Sequence, residues 1–221
     1  MAENATPEPS VMPVDREQWG QQLHLCNFVN AYYQFEDIKS CGNVKKILII
    51  GPGQGLDTHI FRWRGFEVTT FDIDETFHPD VIGSAHDLSM FGDKSFDVII
   101  ASHVLEHLPV PYLDQCLADF ARVSAYTIVY LPVAGRHFQF QAKLDVKGIN
   151  LSLIFDLFNY LHKPDGVTAR YCQGMHYWEM GMRGFTSGAM NRRFSETFEI
   201  IKKYRNKDWN PSYNWVLKSK K

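Results

Sequence analysis

Several things are missing from this 221-residue chain, and each absence narrows what it can be. No apolar run approaches the roughly 18 residues that a membrane-spanning helix needs. Neither sign of charge dominates: 23 Lys and Arg stand against 25 Asp and Glu, a formal net charge of -2. Nothing in that balance favours nucleic acid or an anionic membrane as a partner. Cysteine is scarce and unpaired. Cys26, Cys41, Cys116 and Cys172 form no CxxC and have no histidine at zinc-ligand spacing, so they read as reduced thiols rather than a disulfide framework. The opening MAENATPEPSVMPVD lacks the apolar stretch of a secretory signal, and a cytoplasmic location is expected. Residues 1–15 carry too little apolar surface to offset their ordering entropy and are expected to be disordered. There are no internal repeats.

What is present is a regular alternation. Apolar and aromatic residues recur at helical spacing from Trp19 to Ile38, and Ser40–Asn43 supplies a turn. Ile47–Ile50 is a continuous apolar run of the kind that forms a strand buried on both faces. Glycines follow at 51, 53 and 55, then a short helical pattern through Phe61 and Trp63, then a strand from Phe66 to Phe71 that ends on Asp72. A short third strand is expected near Asp80–Ile82 and a fourth at Phe96–Ala101. Leu113, Cys116, Leu117, Phe120 and Val123 mark a helix face, and Tyr126–Leu131 a fifth strand stopped by Pro132. The expected fold is therefore α/β: a doubly wound, Rossmann-like, mostly parallel seven-stranded sheet with a C-terminal antiparallel strand pair. That pair falls at Phe198–Tyr204 and Tyr213–Leu217, preceded by a helix over Thr186–Phe194. After Gly135 the rhythm breaks. A helical or irregular insertion is expected over 136–184, with Asn150–Leu161 as its apolar helix, inside a single domain spanning 16–221.

The glycine loop and Asp72 belong together. Glycines between a buried strand and a helix allow a tight turn and close approach of a ligand, and the free N–H groups at the helix start favour polar or anionic groups. An acid about 20 residues on, at the end of the second strand, can accept hydrogen bonds from both hydroxyls of a ribose. These features specify a nucleoside-containing cofactor. The dinucleotide fingerprint GxGxxG would put its third glycine at position 56, which is Leu56.

The GxGxG spacing, with strand and acid in register, resembles motif I of the class I S-adenosylmethionine (SAM)-dependent methyltransferases. GSAHDLSMFGDKSFDVIIASHVLEHLP resembles the same family from its adenine-binding loop through its fourth strand, and SFDVII with SHVLEHL is typical of the type 11 or type 12 group. The resemblance covers roughly residues 44–132. It implies SAM as cofactor, with Gly51, Pro52, Gly53 and Gly55 against its methionyl part and ribose. Asp72 would hold the ribose hydroxyls, Ile73 would pack beside the adenine, and Asp87 and Leu88 would border it. Ser102 and His103 would face the methionyl portion and the methyl group. Three positions depart from the family pattern. Ile49 stands where many relatives carry an acid for the cofactor's ammonium, Ser84 stands where an Asp often meets the adenine amine, and only Glu75–Pro79 links strands two and three.

Methyl transfer is an in-line displacement at an activated carbon, so the protein must position the acceptor, exclude water and, for a hydroxyl or amine, remove a proton. Two groups of residues are candidates for the last task. His107 follows strand four with Glu106 beside it and His103 four residues earlier; its alternative reading is local hydrogen bonding at the sheet edge. The His103/His107 spacing invites a metal, but two histidines alone do not make a site and HEXXH is absent, so no metal is expected. The second group is HYWEMG, in which His176 or Glu179 could be the base and Tyr177 and Trp178 a cover or a platform for a sugar. Its alternative reading is an aromatic plug. This phrase resembles a segment of bacterial methyltransferases associated with surface glycans or nucleotide sugars. Arg136 and His137 could meet an anionic acceptor or belong to a solvated loop. The expected activity is methyl transfer to a small-molecule acceptor, with O-methylation of a sugar or sugar-linked hydroxyl as the specific expectation. No nucleic-acid or membrane partner is expected, and an oligomer is possible without being indicated. A nicotinamide-dependent oxidoreductase and a non-catalytic SAM-binding scaffold are the competing classes.

Overall fold

A computed structural model describes residues 24–144, 149–157, 163–206, 208 and 212–220. The expectation of disorder at 1–15 and the start of the first helical segment lie outside the described residues.

The chain opens with α1 (Leu25–Ile38), then β1 (Lys46–Ile50), α2 (Leu56–Trp63), β2 (Glu67–Asp72), the two-residue β3 (Val81–Ile82) and β4 (Phe96–Ser102). There follow α3 (Leu113–Val123), β5 (Ser124–Pro132), β6 (Arg136–Leu144), β7 (Ile149–Leu157), α4 (Ser187–Thr197), β8 (Phe198–Arg205) and β9 (Ser212–Ser219). Seven strands form one sheet in the order β3-β2-β1-β4-β5-β9-β8. The first five are parallel, and β9 runs against both β5 and β8. The expected architecture is the one found.

Burial on both faces explains why the strands are written as unbroken apolar runs. Along β1, Leu48 and Ile50 join the cluster that includes Leu117 and Phe120 of α3 and Phe194 of α4. Ile47 and Ile49 point the other way, to Ile38 at the end of α1 and Phe61 of α2. Each fully buried side chain of this size contributes about 1.5–3 kcal/mol. Ile49 is thus committed to the core behind the sheet, which accounts for the absence of an acid there.

The insertion departs from expectation. Instead of a helix over Asn150–Leu161, residues Ile149–Leu157 form β7, paired antiparallel with β6 in a separate two-stranded sheet, from Arg136↔Leu157 to Leu144↔Ile149. Residues 158–161 of the expected helix lie outside the described residues. The alternation that favours a strand is visible in INLSLIFDL, where Ile149, Leu151, Leu153, Phe155 and Leu157 stand at every second position. The partner RHFQFQAKL alternates in the same way, through Phe138, Phe140, Ala142 and Leu144.

Beyond it, residues 163–185 are irregular but firmly attached. The Val110 N–H donates to the Gly166 carbonyl at 2.8 Å. Met180 and the end of β5 exchange backbone bonds, Met180 N to Pro132 O at 3.0 Å and Ala134 N to Met180 O at 2.9 Å. Trp178 is fully buried, stacks on Phe185 with ring centroids 4.7 Å apart, and donates its indole N–H to the Leu108 carbonyl. The aromatic-plug reading therefore holds for Trp178, which has no face to offer a sugar. No helix among the described residues is long and apolar enough to cross a membrane.

Candidate functional site

Strand order reverses between β1 and β4, and a cleft opens beyond the carboxyl ends of the strands at such a switch point. Here it is a cavity of about 370 Å³. Its floor is the turn after β1. Gly51 has φ +66°, and a Cβ placed there would come within 2.7 Å of the Val104 side chain. Only glycine meets both demands, a left-handed backbone and no side chain. Gly51 donates its N–H to the Phe71 carbonyl at 2.9 Å, tying the turn to β2.

Of the residues singled out from the sequence, Gly51, Pro52, Gly53, Gly55, Asp72, Ile73, Ser102, His103, His107 and His176 all line this cavity. Asp72 ends β2, in register with Ile82, and accepts the Asp74 N–H at 2.9 Å. Asp87 and Leu88 are not brought to the cavity. The chain turns at Ser84, where Asp87 N bonds back to Ser84 O at 2.9 Å, and Leu88 is buried in the core with its N–H on Asp119. Gly83, Ser84 and Ala85 supply the wall instead. The turn places Asp87 on the surface, where it accepts from the Ser89 N–H. Arg136 and His137 begin β6, and their side chains lie outside what the structure describes.

Several lining residues escaped the sequence reading. Asn27 and Asn30 reach the cavity from α1, and the Asn30 amide donates to the Ser102 hydroxyl at 2.9 Å. Their signal was legible: Asn27, Asn30 and Gln34 recur at helical spacing as a polar stripe in an otherwise aromatic helix. Asp57, in the first turn of α2, is another. Burial pushes its carboxyl above the usual range, against the hydrogen bond from the Thr58 N–H.

The far side of the cavity is built from histidines. His103 follows β4 with φ +57°, unusual for a non-glycine residue, and its N–H is fixed to the Tyr130 carbonyl at 2.9 Å. His107 and His176 meet edge to face with ring centroids 4.6 Å apart. His107 Nδ1 lies 3.0 Å from the Met175 carbonyl, and His176 Nδ1 lies 2.7 Å from Glu179 Oε1. The Tyr177 N–H donates to the Glu106 carbonyl at 2.9 Å, so the HYWE segment is hydrogen-bonded directly to the turn after β4. Glu106 itself is fully buried, and neither of its carboxylate oxygens has a hydrogen-bond partner.

Burial sets the charge of this group. It lowers His103 to about 4, with help from neighbouring His176, and lowers His107 to about 4 by burial and then His176, against the bond to Met175. Both rings are neutral near pH 7. Glu106 is pushed well above the carboxylate range by burial and by Glu179. Chemically, the site joins a glycine-floored slot with a carboxylate at its edge to a cluster of imidazoles, one of them backed by a carboxylate.

Residues 48–125 match the family model described as a methyltransferase domain. No curated protein matches the chain. Among solved structures, a protein from Pyrococcus horikoshii OT3 is 16% identical with a TM-score of 0.58, over 91% of this chain and 93% of that one. A SAM-dependent methyltransferase from Methanosarcina mazei is 17% identical, TM-score 0.51, over 82% and 96%. The 1,6-didemethyltoxoflavin-N1-methyltransferase of Burkholderia thailandensis, solved with 1,6-didemethyltoxoflavin and S-adenosylhomocysteine (SAH), is 14% identical, TM-score 0.52, over 96% and 94%. At these identities the likeness establishes the fold.

Proposed function

We propose that this chain is a SAM-dependent methyltransferase and that it delivers its methyl group to a hydroxyl of a small sugar or sugar-linked molecule. The observation that carries the reading is the pairing of His176 with Glu179 at 2.7 Å, pressed against His107 at the rim of the cavity that begins on the glycine loop.

The residues fit SAM. A cavity of about 370 Å³ lies within the range of small-ligand sites. At the floor a Cβ on Gly51 would strike Val104, and the carboxylate of Asp72 stands at the edge of the same cavity. When bound, SAM supplies a methyl carbon activated by its positive sulfonium. In our reading Gly51, Pro52, Gly53 and Gly55 bring backbone against the methionyl part and ribose, and Asp72 accepts from the ribose hydroxyls. Gly83, Ser84 and Ala85 take the adenine-bordering place first expected of Asp87 and Leu88, beside Ile73. With Ile49 buried, Asp57 is the carboxylate proposed for the cofactor's ammonium. Ser102, held by Asn30, and His103 face the methyl end.

His176 and His107 then position the acceptor hydroxyl. A carboxylate can only accept, so Glu179 fixes the proton on His176 Nδ1 and leaves Nε2 with a lone pair. As the new O–C bond forms and the C–S bond breaks, with its electrons going to sulfur, the acceptor's proton passes to that nitrogen. Glu179 steadies the imidazolium that results. From the insertion expected over 136–184, Met175 and His176 border the acceptor's end of the cavity.

Calorimetric titration with SAH, followed by incubation with SAM and a panel of sugars and nucleotide sugars, tests the reading. SAH binding with SAH release and a methylated sugar in the mass spectrum is the expected result. Binding without turnover on any hydroxyl acceptor favours a scaffold and overturns the proposed transfer; absence of SAH binding overturns the cofactor assignment.

A further inference from the structure

We propose that Glu106, His107 and His176 hold a divalent transition-metal ion of the Zn²⁺ class at the acceptor end of the cavity. Each of the three offers one ligand atom, and these atoms all lie within 4.8 Å of one another. Nothing in the sequence spacing announces the set, because His176 comes from a segment 69 residues beyond His107 and is held against it by the Tyr177–Glu106 backbone bond, the His107–Met175 bond and the Trp178–Leu108 bond.

Three observations point to an ion here. The first is the carboxylate. Glu106 is fully buried with both oxygens unpartnered, and its Oε1 is 3.7 Å from His103 Nδ1, beyond hydrogen-bond reach. A buried acid without a donor is costly, and a cation is the partner that removes the cost. The second is the orientation of the imidazoles. Metal-ligating histidines characteristically donate their other ring N–H to a carboxylate or a backbone carbonyl. Both histidines do so, His176 to Glu179 and His107 to the Met175 carbonyl, and each keeps the Nε2 lone pair. The third is openness. His107 and His176 line the cavity, so three protein ligands leave a position for a ligand from the cavity, as in catalytic rather than structural zinc sites.

The donor set selects the metal. Two imidazoles and one carboxylate suit Zn²⁺ and its neighbours, whereas Mg²⁺ and Ca²⁺ prefer oxygen alone. Tetrahedral bonds of the usual length require ligand atoms about 3.4 Å apart, so binding draws the three side chains together by roughly 1 Å.

For the ion's role, though not for its binding, the proposal rests on the methyl-transfer reading above. An acceptor hydroxyl bound to the ion is acidified directly. With the ion bound, the hydroxyl's proton leaves to water at the cavity mouth and His176 is a ligand; in the metal-free protein His176 remains the proton acceptor proposed above.

The test uses full-length protein stripped with a chelator and dialysed against Zn²⁺ alone, with neither cofactor nor acceptor present. One equivalent of Zn²⁺ per chain is expected, and Co²⁺ in its place should give the visible d–d absorption of a low-coordinate nitrogen–oxygen site. His107→Ala, His176→Ala and Glu106→Gln should each weaken Zn²⁺ binding at least tenfold, and Glu179→Gln about 10–100-fold by releasing the ring it orients. A cooperative thermal melt certifies each variant as folded. Since Glu106→Gln alters the core, the two histidine variants decide if it does not fold. Cys172→Ser, which removes the exposed thiol nearby, should leave binding intact. Absence of stoichiometric Zn²⁺, unchanged affinity in folded His176→Ala, or loss of binding in Cys172→Ser overturns the proposal. Lost SAH binding with Zn²⁺ binding intact would count against the cofactor reading alone.

Discussion

The two ends of the cavity are made in different ways. The glycine end is backbone: a turn after β1 whose shape is set by φ angles and by the 2.7 Å that separates an imagined Cβ from Val104. The histidine end is side chains, gathered from the turn after β4 and from the insertion and oriented by one carboxylate and one carbonyl. A backbone slot suits a cofactor common to many reactions, the place proposed here for SAM, while a cluster of side chains can be re-cut for one acceptor. The two ends should therefore fail differently when damaged.

The sharpest contrast comes from His176→Ala. Methyl transfer should fall about 10²–10⁴-fold, the usual worth of a positioned proton acceptor, while calorimetry finds SAH binding still present. If SAH binding collapses as well, the ends are not separable. Gly51→Ala attacks the other end. A side chain forced into the left-handed region costs about 1–3 kcal/mol, and Val104, which lines the cavity, must shift. Measurable SAH binding should be lost while chemical denaturation still shows a cooperative transition. Asp72→Ala removes the carboxylate proposed for the ribose hydroxyls; if it accepts them, the loss of about 1.5–3 kcal/mol should lower SAH affinity roughly 10–100-fold in calorimetry.

The smallest effect lies away from both ends. Burial works against ionising Asp80, but hydrogen bonds from the Thr70 backbone and hydroxyl and the charge of Arg62 outweigh it and hold the carboxyl below its ordinary range. A depressed carboxyl stabilises the fold fully above about pH 4, and the contribution is lost as pH falls through the folded value. Asp80 is substantially exposed, so Asp80→Asn should cost only about 0.2–1 kcal/mol at neutral pH and flatten the acid limb of the stability profile, with SAH binding unmoved.

The sheet was legible because a strand covered on both faces must be apolar throughout, and ILII, FDVII and TIVYL satisfy no other requirement so well. The insertion was not, because NLSLIFDLFNYL satisfies two periods at once. Leu151, Ile154, Phe155 and Phe158 fit a helix, while every second residue from Ile149 fits a strand, and the strand wins once Arg136–Leu144 is present to pair with it. At the site, the glycines and Asp72 could be placed because their positions follow from a local β-α-β unit. Asp87 and Leu88 went astray because a two-residue β3 lets the chain turn at Ser84 before it reaches them. Glu106 drew little attention from the sequence, where its pattern matches local turn bonding; only burial without a partner distinguishes it.

The two hydrogen bonds between Met180 and the end of β5 anchor the HYWE segment to the sheet on its own account. The β6–β7 ribbon is looped out between those fixed points, leaving the chain at Gly135 and rejoining it before His176. Its length and composition can therefore drift or be exchanged for another module over evolutionary time, with the imidazoles keeping their posts. A lineage could change which molecules it admits by editing an ornament rather than the machine.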